Sequence, residues 1–236
     1  MIAVDSPLRW REFSAAQPLA AMLARNVAEQ LRQAIVLRGA ASLAVSGGTT
    51  PKRFFAALSA ENIDWAKVSI TLVDERWVDE DSERSNARLV RETLLQGLAA
   101  AARFVPLYDA AFATPEAALP TLTQRLRALP QPFDVVLLGM GADGHFASLF
   151  PGGDHLAQGL NPHTPQLLIT MNAAAAGEAR ISLTLPPILA ARQAILHIEG
   201  AAKRATLERA LDGDARLPVH ALLQARTPFL PCYWCP

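Results

Sequence analysis

The sequence predicts an α/β protein built on a mostly parallel sheet, and three observations support this prediction. Strand-like and helix-like segments alternate from residue 19 to residue 138, as they do in parallel sheets covered by helices. The segment FDVVLL at 133–138 has almost no polar alternation, which is typical of a strand buried on both faces. Three glycine-rich or charged motifs each follow a predicted strand, where ligands bind in this class of fold.

The first half of the chain supplies most of the alternating elements. Apolar side chains recur every four residues from Leu19 to Ile35 and predict one face of a long helix. Ser85 is a suitable N-cap for a later helix. Strands are predicted at 41–46, 68–73, 103–107 and 133–138, and further helices through 54–58, 89–95 and 115–129.

The second half is less regular. The strand-like segments LLITM (167–171) and RISLTL (180–185) are separated by only eight residues. That is short for a helical crossover, so a mixed or antiparallel pairing is expected there. A strand at 194–199 and a helix at 201–211 follow. Because no linker or internal repeat interrupts the pattern, residues 1–236 are predicted to form a single domain.

Composition excludes several classes of partner. Apolar residues make up 51% of the 236 residues, and 22 basic residues balance 22 acidic ones. Without a basic tract, neither nucleic acid nor an anionic membrane is an expected partner. No apolar run approaches the length of a membrane span, and the first residues lack a leader-like apolar core. A cytoplasmic location is therefore expected.

The two cysteines, Cys232 and Cys235, form a C-x-x-C near the end of the chain. A zinc site would need two further ligands at comparable spacing, and a redox pair normally opens a helix. The sequence therefore favours a terminal segment docked on the core with reduced thiols.

The three motifs are SGGTTP (46–51), DERW (74–77) and GMGADGH (139–145). The carboxyl ends of parallel strands lie at one edge of a sheet, so the motifs are expected to converge on one pocket. Any one of them alone would be a weak signal.

The motif SGGTTP offers what a phosphate needs. Gly47 and Gly48 allow a tight turn, Ser46 and Thr49 supply hydroxyls, and Pro51 suits the first turn of a helix whose free N–H groups attract an anion. It is not a Walker sequence. A plain strand-to-helix turn with a Ser/Thr cap is the alternative interpretation.

The other two motifs carry candidate catalytic groups. Alternation along an extended DERW places Asp74 and Arg76 on one side, either as an ion pair or facing the pocket, where Arg76 can stabilise an oxyanion. His145 is the candidate general base, with Asp143 two residues earlier to orient it. A turn histidine bonded to the backbone is the alternative for His145.

A metal site can also be imagined from Asp143, His145, Asp154 and His155. Adjacent Asp-His pairs rarely aim both side chains at one ion, so no metal is expected.

In this order, SGGTTP, DERW with Ser85 and Asn86, and GMGADGHFASLFPG resemble the 6-phosphogluconolactonase family of the bacterial short-chain type, within the glucosamine/galactosamine-6-phosphate isomerase superfamily. The resemblance extends over residues 20–225. Related amino-sugar phosphate deaminases continue after the histidine in an Ala-Phe-Asn-Glu-Pro-like pattern. The residues Ser148, Leu149 and Phe150 therefore favour the lactonase branch.

The resemblance implies a Rossmann-like three-layer α/β/α sandwich that hydrolyses 6-phospho-D-glucono-1,5-lactone without a metal or cofactor. It implies that Arg180 and Lys203 grip the phosphate. Phe146 stands where the family usually has threonine, which implies a change in water placement or pocket shape beside His145. The alternatives are an amino-sugar-6-phosphate isomerase/deaminase and a non-catalytic sugar-phosphate-binding module. A monomer or small homo-oligomer is expected.

Overall fold

The computed structural model describes residues 6–226 and 229–236. Residues 1–5, on which part of the leader expectation rests, and residues 227–228 of the terminal segment lie outside the described residues. The strands are β1 (Leu8–Glu12), β2 (Ala41–Val45), β3 (Val68–Leu72), β4 (Asp74–Arg76), β5 (Arg103–Val105), β6 (Val135–Leu138), β7 (Leu168–Met171), β8 (Arg180–Leu183), β9 (Gln193–Glu199) and β10 (Leu230–Cys235). The α-helices are α1 (Ala16–Arg38), α2 (Lys52–Ser59), α3 (Asn86–Thr93), α4 (Pro115–Arg127), α5 (Leu156–Gly159), α6 (Leu185–Ala190), α7 (Ala201–Leu211) and α8 (Pro218–Ala225).

Seven strands form one parallel sheet in the order β1-β10-β9-β6-β2-β3-β5, with helices on both sides. Every residue of the central strands β2 and β6 is buried, because helices cover both faces of a parallel sheet. The predicted α/β class and its mostly parallel sheet are confirmed.

The mixed pairing expected after residue 167 occurs in a separate sheet. Three antiparallel strands in the order β4-β8-β7 form it, and β4 carries the DERW motif. Val73 links the two sheets, since its N–H donates to the carbonyl of Val45 in β2 and its carbonyl accepts the N–H of Leu183 in β8. The chain therefore passes from the large sheet to the small sheet at Val73. As a result, Asp74 and Arg76 lie above the carboxyl edge of the large sheet.

Helix starts follow the expected capping chemistry. The hydroxyl of Ser85 accepts the N–H of Arg88 at the start of α3, as predicted. Thr114 does the same for Ala117 at the start of α4, where Pro115 occupies the first turn.

The two ends of the described chain add two strands at one side of the large sheet that the sequence pattern does not show. β10 contains the C-x-x-C segment and pairs with β9 and β1. Cys232 and Cys235 are both free and buried, and burial raises the pKa of each thiol, which suppresses thiolate chemistry. Within the described ranges, no helix combines the length and apolar character needed to cross a bilayer.

Candidate active site

The three motifs meet in a cavity of about 330 Å³ at the carboxyl edge of β2, β6 and β9, beneath the small sheet. Of the predicted site residues, only Asp143 is not part of its wall, and it contacts His145 instead. The lining residues are Ser46, Gly47, Gly48, Thr49, Thr50, Pro51, Asp74, Arg76, Asn86, Leu137, Leu138, Gly139, Met140, Gly141, His145, Ala147, Phe150, Ala175, Arg180, His197 and Lys203.

The loop after β2 is fixed to the loop after β6 through Ser46. Its hydroxyl donates to the carbonyl of Leu137 at 3.1 Å and accepts the N–H of Gly139 at 2.9 Å. The proton of Ser46 is thus already used by the protein, and the serine shapes the loop. At Gly47 a Cβ atom would lie 1.8 Å from Oδ1 of Asn86, so only glycine lets that side chain pack against the loop.

The candidate base is held by a carboxylate. Nδ1 of His145 lies 2.6 Å from Oδ1 of Asp143, which also accepts the backbone N–H of His145. Burial alone would raise the pKa of Asp143, but the hydrogen bond and charge of His145 outweigh it and leave this pKa below its usual value. An ionised carboxylate only accepts, so Nδ1 carries the proton and Nε2 is the basic nitrogen.

Two neighbours fix the imidazole further. A Cβ at Gly141 would lie 2.3 Å from the ring of His145 and 2.5 Å from Oδ1 of Asp143, which explains a glycine there. The ring of Phe150 packs against the imidazole with centroids 4.1 Å apart and planes tilted by 31°, and the guanidinium of Arg180 lies 5.4 Å from the Phe150 centroid. Phe150 therefore lies between the base and a cation along one wall.

Two arginines are neighbours on adjacent strands of the small sheet, because Arg76 pairs with Arg180 in the β4–β8 register. Arg76 donates through Nη1 to the carbonyl of Arg84, and Arg180 donates through Nη2 to that of Ala176. Among the described residues, the buried Nε atoms of both arginines have no hydrogen-bond partner. Burial lowers the pKa of Arg180 while Asp74 opposes the shift. Both arginines line the cavity, and cationic side chains there suit an anionic ligand.

The remaining residues of DERW hold the site together. Oδ2 of Asp74 accepts the hydroxyl of Ser148 at 2.6 Å, which ties β4 to the motif after His145. Glu75 lies on the opposite side of the strand, as alternation predicts, and accepts the N–H groups of Asn86 and Ala87 at the start of α3. Burial raises the pKa of Glu75 to about 7 despite these bonds.

A cationic corner lies at the start of α7. Lys203 lines the cavity there, and burial lowers its pKa against the opposing charge of Glu199. His197 on β9 lines the same corner and is 2% exposed. Burial, reinforced by the charge of Lys203, lowers the pKa of His197 to about 4.

Sequence reasoning missed Asn86 and His197 as lining residues. In the sequence Asn86 is only one residue of a motif, and His197 has the appearance of an ordinary strand residue. Its one usable signal is position, since it stands a residue beyond the last β6–β9 pair, Leu138 with Leu196, at the edge where the glycine-rich loop begins.

Phe146 is placed differently from the expectation. Its ring is 0% exposed and belongs to the hydrophobic core, not to the cavity wall. Phe146 therefore does not itself line the cavity beside His145, and its effect on water placement or pocket shape stays a prediction.

The second Asp-His pair lies outside the cavity. Asp154 accepts hydrogen bonds from Asn172, and Nδ1 of His155 lies 3.2 Å from the carbonyl of Thr170. In the part of the chain that the structure describes, no three His, Cys, Asp or Glu side chains gather as metal ligands do.

Comparison with known proteins agrees with this geometry. The family model described as glucosamine-6-phosphate isomerases/6-phosphogluconolactonase matches residues 14–230. The chain therefore belongs to this family.

Within the family, the chain groups with the 6-phosphogluconolactonases, which are hydrolases. It is 50% identical over 220 residues to the 6-phosphogluconolactonase of Rhizobium meliloti (strain 1021), covering 92% of this chain and 94% of that one. It is 41% identical to the 6-phosphogluconolactonase of Pseudomonas putida over 237 residues, covering 100% of this chain and 96% of that one. The crystal structure of a 6-phosphogluconolactonase from Shewanella baltica OS155 superposes with a TM-score of 0.93 at 40% identity, covering 99% of both chains.

Proposed function

We propose that this chain hydrolyses 6-phospho-D-glucono-1,5-lactone to 6-phospho-D-gluconate, in the oxidative part of the pentose phosphate pathway, with His145 as the general base. The observation that carries the mechanism is the Asp143–His145 pair at a cavity that Arg76 and Arg180 also line. The relatives support the reaction, and the geometry supports the roles.

The reaction needs one base that also acts as an acid. Nε2 of His145 takes a proton from water as the water oxygen attacks C1, and the carbonyl π electrons move onto its oxygen. The tetrahedral intermediate then collapses, the bond from C1 to the ring oxygen breaks, and the imidazolium returns its proton to that oxygen. Asp143 stabilises the imidazolium through its bond to Nδ1. An imidazole suits both steps because the neutral ring accepts a proton and the imidazolium returns it.

The cations divide between the two ends of the substrate. Arg76 stabilises the oxyanion, and Asp74 holds the strand that carries it through Ser148. Arg180, Lys203 and the loop 46–51 hold the phosphate, with the free N–H groups at the start of α2 adding to the attraction. A volume of about 330 Å³ is at the small end of ligand pockets and suits a hexose phosphate.

The scheme uses water, one base and fixed cations, so it requires no metal or cofactor. The only partner it needs is the sugar-phosphate lactone. We place this activity in the cytoplasm, in a monomer or small homo-oligomer of a single domain, with no nucleic-acid or membrane partner.

The test is acid release from freshly prepared 6-phosphogluconolactone, corrected for spontaneous hydrolysis. Replacing His145 with Asn keeps much of the shape but removes proton transfer, so kcat should fall by roughly 10²–10⁴-fold while product affinity stays nearly unchanged. His155→Asn is the matched control, since His155 also follows an aspartate but lies outside the cavity, and it should keep full activity. If His145→Asn retained more than about a tenth of kcat, the base would be misassigned.

A further inference from the structure

We propose that His197 is a specificity-determining residue that donates a hydrogen bond to the substrate's phosphate beside Lys203. The proposal rests on the function proposed above, because it takes the phosphorylated lactone as the ligand.

His197 lines the cavity, but its ring makes no hydrogen bond to the described residues of the protein. It lies on β9 near the carboxyl edge, is 2% exposed and lines the wall that Lys203 also lines. Neither ring nitrogen has a hydrogen-bond partner in the structure. The carboxylate of Glu199 lies 3.4 Å from Nε2 but does not meet hydrogen-bond geometry. A buried polar group with no partner is unfavourable and requires an explanation.

The electrostatic surroundings identify the ligand. Lys203 on α7 and Glu199 on β9 are the charged groups that act on this corner, and burial together with Lys203 keeps the imidazole neutral at physiological pH. A neutral imidazole offers one N–H donor. A phosphate dianion offers only acceptors and is attracted by the adjacent ammonium group, so the imidazole N–H and Lys203 complement the same group.

A neutral donor adds selectivity that a second cation would not. It satisfies a phosphate oxygen without adding charge to a corner that already holds Lys203. When the phosphate is absent, the imidazole stays buried and unpaired as it is in the free protein, so the unphosphorylated analogue gains no binding energy from it.

The test compares kcat/KM for 6-phosphogluconolactone and for unphosphorylated gluconolactone. His197→Phe keeps the ring shape and removes the donor, and kcat/KM for the phosphorylated lactone should fall about 10- to 100-fold, the loss expected for one hydrogen bond to a charged group. The unphosphorylated lactone should change less than about twofold. His197→Gln restores a donor and should recover part of the loss. Lys203→Ala is the comparison variant and should show the same selective pattern.

A binding measurement separates this inference from the proposed function. Titrating the wild-type protein with 6-phosphogluconate should shift the imidazole NMR signals of His197, and gluconate should leave them in place. If the protein lacked lactonase activity but showed this shift, the function would fail and the inference would stand. Equal losses of kcat/KM on both lactones, or His197 signals that do not shift with 6-phosphogluconate, would overturn the inference. The titration uses the wild-type protein, so it tests the inference even if a variant does not fold.

Discussion

His145 and Phe146 are neighbours in the chain with opposite surroundings. His145 opens onto the cavity, whereas the ring of Phe146 is enclosed by the core. The sequence identifies both positions as important, but it cannot say on which side of the turn each ring lies. The same limit explains why His197 and Asn86 could not be predicted as lining residues. The place of His197 depends on the register of β6 and β9, and that of Asn86 depends on its hydrogen bond to the carbonyl of Asp74 in β4. The motif residues themselves could be predicted because each follows a strand.

At Phe146 the structure predicts that the family's usual threonine would destabilise this chain. Phe146→Thr removes a fully buried ring and introduces a hydroxyl into the core, so the free energy of unfolding should fall by about 3–5 kcal/mol. Urea denaturation measures this loss. Phe146→Leu should cost distinctly less, and kcat per folded molecule should stay within about twofold for both. If stability were unchanged and kcat were altered, the ring of Phe146 would be part of the substrate pocket and the prediction would be wrong.

At the scale of elements, periodicity and capping predict the main helices and the central strands. The helix over 201–211 matches α7 in full, and Ser85 caps α3. The edge strand β1, with its sequence LRWRE, shows no buried pattern because only its first residue is buried. The three residues of β4 are too few for a periodic signal, so the separate small sheet could not be predicted even though antiparallel pairing was.

The start of α3 links helix stability to the site. Ser85→Ala removes the acceptor for the N–H of Arg88 and the hydroxyl bonded to Glu75, which should lower the free energy of unfolding by about 1 kcal/mol. Because Asn86 packs against Gly47, kcat/KM should fall as well. Thr114→Ala removes the equivalent cap from α4 and should lower stability by a similar amount with kcat/KM unchanged. Equal kinetics in both variants would mean that the α3 cap does not position the site.

At the scale of the whole molecule, two buried groups give pH dependences of opposite sign. The pKa of His197 drops from 6.5 in the unfolded chain to about 4, so between these values the unfolded state binds more protons and stability rises with pH. The pKa of Glu75 rises from 4.5 to about 7, so over that window the folded state binds more protons and stability falls with pH. The two effects oppose each other over most of the acid range.

Replacing His197 with Phe should remove one of these effects. Relative to His197→Phe, the wild-type protein should gain stability as pH rises from 4 to 6.5, by up to about 3 kcal/mol, and the difference should level off above that range. Urea titrations at several pH values measure it, and groups common to both proteins cancel in the difference. Parallel stability curves would show that His197 titrates in the folded protein as it does in the unfolded chain.

The pairing of β1 with β10 has a consequence for the order of assembly. Leu8 lies opposite Leu230, so β1 pairs with a strand that is made after every other strand of the sheet, and within the described residues β10 is its one sheet neighbour. Until β10 arrives, the backbone donors and acceptors of β1 remain unpaired while the chain between them folds, and such an open strand can pair with another chain. β1 has the sequence LRWRE. Its charged side chains lower the tendency of the unpaired strand to associate with another chain, because charges on an open strand oppose edge-to-edge pairing. The outer edge of the sheet is therefore completed only after the strands around the cavity have all been made.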